Sequence, residues 1–220
     1  MDGVMSNDRF QRQTSLVPRD RLLNTMFTIV GVGAIGRQVA LQLASIGATN
    51  LRLIDFDIVD ATNVTTQGYT AKSIGKEKVA ACANDIAGID SAITVETIID
   101  RFRPKHARSG VTICCVDKIS ARAAIWRACK NHCDLWIDGR MLGEVIRVLV
   151  ANPNLEPGHY ESTLFNQSDA QVGSCTSKST IYTASIAAGL ITHQISRWLR
   201  DLPTDSDTTF NLLANEIAVI

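Results

Sequence analysis

The chain has 220 residues, of which 45% are hydrophobic and 20% charged, and its formal net charge is zero. This length is typical of one domain with a buried core, so we expect a single domain over residues 1–220 with an N-terminal arm over 1–26. The charge balance gives no basic surface for nucleic acid or an anionic membrane, and no apolar run reaches the roughly 18 residues of a transmembrane helix.

Apolar runs and helical spacings alternate along most of the chain. In chain order they predict a short helix near Leu22, a strand over 28–33, a helix over 34–47, a strand over 51–57, a polar loop over 58–74, a helix over 75–89, strands over 92–98 and 111–117, a helix over 119–132, strands over 134–138 and 143–153, a helix over 175–200 and a hairpin over 208–220 that turns near Asn215. This alternation predicts an α/β fold, with a Rossmann-like, doubly wound and mostly parallel sheet and helices on both faces. We expect the later strands to extend the sheet in antiparallel fashion.

A glycine-rich turn joins the first predicted strand to the helix that follows it. Gly31, Gly33 and Gly36 have the Gly-x-Gly-x-x-Gly spacing, which lets the backbone approach a phosphate at a helix N-terminus. Asp55 ends the next strand, where its carboxylate can bind a ribose hydroxyl. The pattern predicts a nucleotide site, although by itself it also fits a nicotinamide-dependent oxidoreductase or a tight strand-to-helix turn.

Five short segments follow one another in an order that is typical of one enzyme family. They are RFQRQ, GVGAIG, DFDIVDATNVTTQGY, GKEKV and CCVDKISAR. Together they resemble the ThiF/MoeB/HesA family of adenylating enzymes, which also form the core of ubiquitin-activating enzymes, over roughly residues 9–200. The resemblance implies an adenylyltransferase that uses ATP and Mg²⁺. It would join AMP to the C-terminal carboxylate of a ubiquitin-like or sulfur-carrier protein, or of a peptide, and release pyrophosphate.

The resemblance also implies roles for individual residues. Asp55 would hold the ribose with Asp57 beside it, and Lys78 would contact the phosphates. Asp117 would act in catalysis by holding Mg²⁺ or orienting the phosphates. Arg12 would act across a dimer interface on the ATP of a partner subunit, so we expect a homodimer. The nucleotide-binding positions implied in this way are Gly31, Gly33, Ala34, Gly36, Asp55, Asp57, Asn63, Gln67, Lys78 and Asp117.

Two positions depart from the family pattern. Thr66 stands where an arginine often precedes the glutamine, so a phosphate-binding charge is missing unless Lys72 or Arg9 replaces it. Lys118 stands where an asparagine often follows the Mg²⁺-binding aspartate. A catalytically inactive member that serves as a binding or partner subunit is therefore the alternative to an active enzyme.

Cys175 lies at the predicted start of the long helix over 175–200. Relatives often carry a cysteine here, and some use it to take the activated partner as a thioester or in sulfur transfer. A helix N-terminus and the nearby Lys178 would lower the pKa of such a thiol. The alternative is a small apolar residue at a buried helix start. No zinc is expected, because the chain lacks the CxxC pairs that hold zinc in many relatives.

The cysteines and the N-terminal residues bear on the cellular compartment. The six cysteines do not follow the spacing of a disulfide framework. The first ten residues are polar and lack the apolar stretch of a signal peptide. We therefore expect a reduced, cytoplasmic protein whose partner is another protein or a peptide, without nucleic-acid or membrane binding.

Overall fold

The computed structural model describes residues 9–152, 158–166, 168 and 180–220. The strands are β1 Phe27–Val30, β2 Asn50–Ile54, β3 Thr94–Ile98, β4 Val111–Cys114, β5 Leu135–Leu142, β6 Val145–Ala151, β7 Asp207–Asn211 and β8 Glu216–Val219. The α-helices are α1 Arg19–Leu23, α2 Ala34–Ile46, α3 Thr62–Gln67, α4 Lys78–Ile89, α5 Ile119–Cys129, α6 His159–Ser162 and α7 Ile181–Leu199. Short 3₁₀ turns cover Gln11–Gln13, Ala71–Ser73 and Pro104–His106.

The strands form one sheet in the order β3-β2-β1-β4-β5-β6-β7-β8. The pairs from β3 through to β5 are parallel. The pairs from β5 to β8 are antiparallel, and the last two strands form a hairpin whose turn includes Asn215 with a φ of +54°. The predicted doubly wound sheet with an antiparallel extension is confirmed.

Helices cover both faces of the central strands. Helices α2, α4 and α7 contribute apolar side chains to the larger core on one face, and α5 and α6 contribute to the core on the other. All residues of β1 and β4 are consequently buried. This two-sided burial is the reason that these strands read as continuous apolar runs rather than as alternating patterns. No helix in the described part of the chain is long and apolar enough to cross a membrane.

The structure corrects the sequence prediction at two elements. The polar stretch over 58–74, predicted as a loop, contains α3, whose Thr66 hydroxyl donates to the Thr62 carbonyl at 2.8 Å. Polar residues build this short helix, so apolar spacing could not reveal it. The helix predicted from residue 175 begins at Ile181, because Thr180 is extended and its side-chain oxygen caps the N–H of Thr183.

Candidate functional site

The candidate site lies at the carboxyl ends of β1, β2 and β4. Strand β1 leads through α2 to β2 on one side, whereas β4 and β5 extend the sheet on the other. Such a switch point opens a crevice beyond the strand ends, and ligands of open α/β sheets bind there. The glycine turn follows β1, Asp55 follows β2, and Asp117 follows β4.

Two glycines of the turn are required by close packing. Gly31 has a φ of +87°, and a Cβ there would lie 2.9 Å from the carbonyl carbon of Cys115. A Cβ on Gly36, in the first turn of α2, would lie 1.9 Å from the carbonyl oxygen of Gly31. The turn therefore folds back onto both the helix and β4 without room for a side chain.

Gly33 differs from the other two glycines because it faces open space. Among the described residues, only the side-chain amide of Gln67 lies within 4 Å of a Cβ built there, and its Oε1 is 3.9 Å away. No described side chain caps the N-terminus of α2, which begins at Ala34. Room for a ligand beside uncapped helix N–H groups is the arrangement that binds a phosphate.

The packing of Gly36 gives a direct test of this turn. We expect Gly36→Ala to lower the free energy of unfolding by about 3 kcal/mol, because the new methyl group must displace the backbone of Gly31. Gly88→Ala in α4 is the matched control, since nothing within 4 Å would meet its Cβ, and it should instead stabilise by about 0.5–1 kcal/mol. Urea denaturation measures both values. Similar unfolding curves for the two variants would contradict the geometry of the turn.

Asp55 is fixed against the glycine turn by two backbone groups. Its Oδ2 accepts a hydrogen bond from the Val32 N–H at 2.6 Å, and its Oδ1 accepts one from the Asp57 N–H at 2.8 Å. Burial raises the pKa of Asp55, and these two hydrogen bonds act in the opposite direction. Each oxygen keeps a further lone pair, so the carboxylate can still accept a hydrogen bond from a ribose hydroxyl.

Lys78 is the first residue of α4 and forms an ion pair with Asp57. Its Nζ lies 3.0 Å from Oδ2 of Asp57, with 8% of the lysine side chain exposed and 49% of the aspartate side chain. The lysine stem is thus held in place by burial, whereas the carboxylate that neutralises its charge faces solvent. Two predicted site residues, Asp57 and Lys78, are brought together here.

Asn63 and Gln67 lie in α3, one at each end. Asn63 is buried, and its Oδ1 accepts from the Asp60 N–H at 3.0 Å, so the side chain shapes the entry to the helix. Gln67 places its amide beside Gly33, and its Oε1 is buried with no hydrogen-bond partner within the described residues. Gln67 is therefore positioned to meet a ligand at the turn, and Asn63 has a structural role.

Asp117 and Lys118 are both exposed between β4 and α5, where Lys118 is the N-cap residue. An exposed carboxylate at this strand end has the ligand chemistry that Mg²⁺ prefers. Within the described residues, no group of three or more histidine, cysteine, aspartate or glutamate side chains is placed to hold a metal ion.

Residues 9–13 of the N-terminal arm lie far from the glycine turn. The side chain of Gln13 donates to the Ile46 carbonyl at 2.6 Å, which places the arm at the C-terminal end of α2, about 20 Å from the helix start. Arg9 pairs with Asp90, just beyond the C-terminal end of α4, so it cannot replace the charge missing at Thr66. Arg12 is exposed on this arm. Its predicted role in a partner subunit remains a prediction.

Cys175 and Lys178 lie outside the described residues. Because α7 begins at Ile181, the argument that its helix dipole lowers the pKa of Cys175 loses its basis. The role of Cys175 as an acceptor remains a prediction.

The other five cysteines are free thiols, of which four are buried and Cys115 is partly buried. Burial raises the pKa of Cys82, Cys129 and Cys133 to about 12, and raises that of Cys114 and Cys115 as well. We therefore expect iodoacetamide at pH 8 to leave these five thiols unmodified in native protein, since the thiolate is the reactive form. Mass spectrometry of native protein against urea-unfolded protein measures this. Rapid labelling of Cys82 or Cys129 in native protein would contradict this expectation. Labelling of Cys175 would report only the reactivity of that thiol.

Sequence reasoning missed one residue of the site, Tyr69. It is 2% exposed, and its hydroxyl donates to the Val32 carbonyl in the glycine turn at 2.7 Å. The signal available in the sequence was the Gly68-Tyr69 pair directly after α3, where Gly68 has a φ of +76° and turns the chain inward.

Comparison with known proteins decides the family. A family model described as "ThiF family" matches residues 9–217. The chain belongs to the ThiF family. This agrees with the resemblance carried by the five sequence segments. The match begins within the arm, covers β1 to β7 and ends in β8.

Curated relatives of this ThiF-family chain share part of its length. Ubiquitin-like modifier-activating enzyme 5 of Drosophila willistoni is 28% identical over 145 residues, which cover 58% of the chain and 36% of the relative. The protein of the same name from Caenorhabditis elegans is 26% identical over 144 residues, covering 58% and 34%. The matched region spans about a third of these relatives.

Solved structures share the fold across the whole chain. PaaA matches with a TM-score of 0.78 and 23% identity, covering 100% of this chain and 85% of PaaA. E. coli MccB solved with MccA-N7isoASN matches with a TM-score of 0.81 and 17% identity, covering 99% and 72%. E. coli MccB solved with ATP matches with a TM-score of 0.77 and 19% identity, covering 100% and 73%.

Proposed function

We propose that this ThiF-family chain binds ATP at the glycine turn and transfers AMP to the C-terminal carboxylate of a ubiquitin-like or sulfur-carrier protein, or of a peptide. The observation that carries the proposal is the fixed Asp55 carboxylate between the glycine turn and the Lys78–Asp57 pair. The names of the relatives support it, since the curated ones are named as activating enzymes of ubiquitin-like modifiers and MccB was solved with ATP and with MccA.

The proposed reaction transfers one adenylyl group from ATP. A carboxylate oxygen of the substrate forms a bond to the α-phosphorus, the bond from that phosphorus to the pyrophosphate oxygen breaks, and an acyl adenylate remains. Negative charge grows on the departing pyrophosphate, so the Lys78 ammonium and the N–H groups at the start of α2 would stabilise the transition state. Asp55 would hold the ribose and thereby orient the α-phosphate.

Mg²⁺ fits the exposed carboxylate of Asp117. Protein-bound Mg²⁺ is usually held by one or two carboxylates together with the phosphates of the nucleotide, and it supplies positive charge to them. We further propose that two copies of the chain form a homodimer, in which Arg12 of one copy serves the ATP of the other. Transfer of the activated carboxylate to Cys175 as a thioester is part of the same proposal.

Calorimetric titration and isotope exchange test the function. We expect Mg·ATP to bind and NAD⁺ not to bind, because Lys78 adds a cation beyond the glycine turn for a terminal phosphate that NAD⁺ lacks. We also expect labelled pyrophosphate to exchange into ATP in the presence of a ubiquitin-like protein with a C-terminal glycine or a peptide with a free C-terminus. Binding of NAD⁺ in preference to ATP would overturn the proposal.

An inactive partner subunit is the second candidate, and two observations favour it. Thr66 supplies no charge and bonds within α3, and the charge of Lys78 is neutralised by Asp57. Such a subunit would bind nucleotide without catalysing exchange. Exchange that is present in the wild type and abolished in Asp117→Ala would exclude this candidate.

A further inference from the structure

We infer that Tyr69 is a positioning residue that sets the orientation of the glycine turn for nucleotide binding. This inference rests on the proposed function, because it assigns a part of the proposed ATP site. It adds a residue to the site through its hydroxyl, which donates to the Val32 carbonyl in the turn.

The Val32 backbone is held by two side chains. Its N–H donates to Oδ2 of Asp55 at 2.6 Å, and its carbonyl accepts from the Tyr69 hydroxyl at 2.7 Å. The Val32 carbonyl and the Gly33 N–H belong to one planar trans peptide and point in opposite directions. Fixing the carbonyl towards Tyr69 therefore fixes the direction of the Gly33 N–H, which points away from Tyr69.

The same hydroxyl also reaches the start of α4. It lies 3.3 Å from the carbonyl oxygen of Lys78, the longer of its two contacts. One side chain thus ties the glycine turn to the residue whose ammonium group is proposed to meet the phosphates. Burial raises the pKa of Tyr69, so the hydroxyl keeps its proton and remains a donor.

Packing around the ring holds Tyr69 in this position. The ring belongs to a small apolar cluster with Val59 and Ala81, separate from the two main cores. The guanidinium of Arg37 lies 4.8 Å from the ring centroid and pairs with Asp85 at 2.8 Å. The hydroxyl therefore has little freedom to swing away from Val32.

Tyr160 provides a matched control on the other face of the sheet. It is also 2% exposed, and its hydroxyl donates to a buried acceptor, Oδ2 of Asp138, at 2.9 Å. Replacing either tyrosine with phenylalanine removes one buried hydroxyl, and Tyr160→Phe should lower stability at least as much as Tyr69→Phe because its acceptor is a carboxylate. Of these two tyrosines only Tyr69 contacts the glycine turn, and Tyr160→Phe leaves Asp138 together with the Arg122 contact to the Val116 carbonyl in place.

The experiment compares Tyr69→Phe and Tyr160→Phe in two measurements. The first is calorimetric titration with the ATP analogue AMPCPP and Mg²⁺, together with urea denaturation of each variant. We expect Tyr69→Phe to bind about 5- to 10-fold more weakly than the wild type, which corresponds to one lost hydrogen bond, and Tyr160→Phe to bind as the wild type does. The second is the amide chemical shift of Gly33 in ligand-free protein, which we expect to move in Tyr69→Phe and to stay unchanged in Tyr160→Phe.

Three outcomes would overturn the inference. One is an unchanged Gly33 amide shift in Tyr69→Phe, and this result stands whether or not the chain binds nucleotide. Another is unchanged AMPCPP affinity in Tyr69→Phe when the wild type binds. The third is an equal loss of affinity in both variants, which would indicate a general effect on stability. A wild type that does not bind AMPCPP, with the Gly33 shift moving as expected, would overturn the proposed ATP site and leave the contact between Tyr69 and the turn established.

Discussion

Replacing Asp138 with asparagine is expected to lower the free energy of unfolding by about 3–5 kcal/mol, because it removes one partner from a buried ionic network. Asp138 is fully buried in β5, where Arg122 and Arg140 pair with its two oxygens and Tyr160 donates to Oδ2 at 2.9 Å. An asparagine would leave two largely buried guanidinium groups without a counter-charge. Urea denaturation measures the loss.

An exposed ion pair supplies the control for this prediction. Arg21 and Asp201 pair at 2.6 Å with 41% and 84% of their side chains exposed, so Asp201→Asn should cost less than about 1 kcal/mol. Asparagine also suits the positive φ of 56° at that position. If Asp138→Asn lowered the free energy of unfolding no more than Asp201→Asn does, burial would not be the reason that the Asp138 pairs stabilise the protein.

The Asp138 network also reaches the candidate site. Arg122 donates to the carbonyl of Gly139 at 3.1 Å and to the carbonyl of Val116, which directly precedes Asp117. The network therefore ties the end of β5 to the segment that carries the proposed Mg²⁺ ligand. We expect Asp138→Asn to slow pyrophosphate exchange by more than its loss of stability explains. Exchange assays well below the melting temperature, where the variant is folded, measure this effect.

Local patterns in the sequence were sufficient to predict most of the fold. The strands of the core are apolar runs because helices cover both of their faces, and α2 and α4 show their buried sides as helical spacing. Apolar spacing does not predict the short helix α3, because its hydroxyl groups bond within the helix and it has no apolar side. The start of α7 was placed too early because the cap at Thr180 depends on a backbone angle rather than on a spacing.

The same distinction applies to the candidate site. Gly31 and Asp55 lie in short segments whose spacing predicts a nucleotide site, and the family resemblance implies the role of Lys78. The contacts that decide how these residues act join distant parts of the chain, as Arg9 does with Asp90 and Tyr69 with Val32. Such pairs depend on how helices and loops pack on the sheet, and local sequence patterns do not reveal that packing.

Lys78→Ala is expected to lower the rate of pyrophosphate exchange by about 10²- to 10³-fold, because a fixed cation that stabilises developing charge is removed. The effect should be large because the neighbouring carboxylate of Asp57 would then face the phosphates with its charge unopposed. Asp57 is half exposed, so water can solvate it, and the loss of stability should be limited to the packing of the buried lysine stem. Exchange assays at saturating substrate measure the rate, and urea denaturation checks the fold.

Lys76→Ala is the matched control for the same experiment. Lys76 lies two residues earlier, is exposed, and has no ion pair with the described residues. Its loss removes one positive charge from the same segment, so it tests whether net charge near the site accounts for the effect. If Lys76→Ala slowed exchange as much as Lys78→Ala, general attraction of ATP by positive charge would explain both results. A large effect confined to Lys78 requires a cation fixed at one place, and burial of its stem at the first turn of α4 provides that fixation.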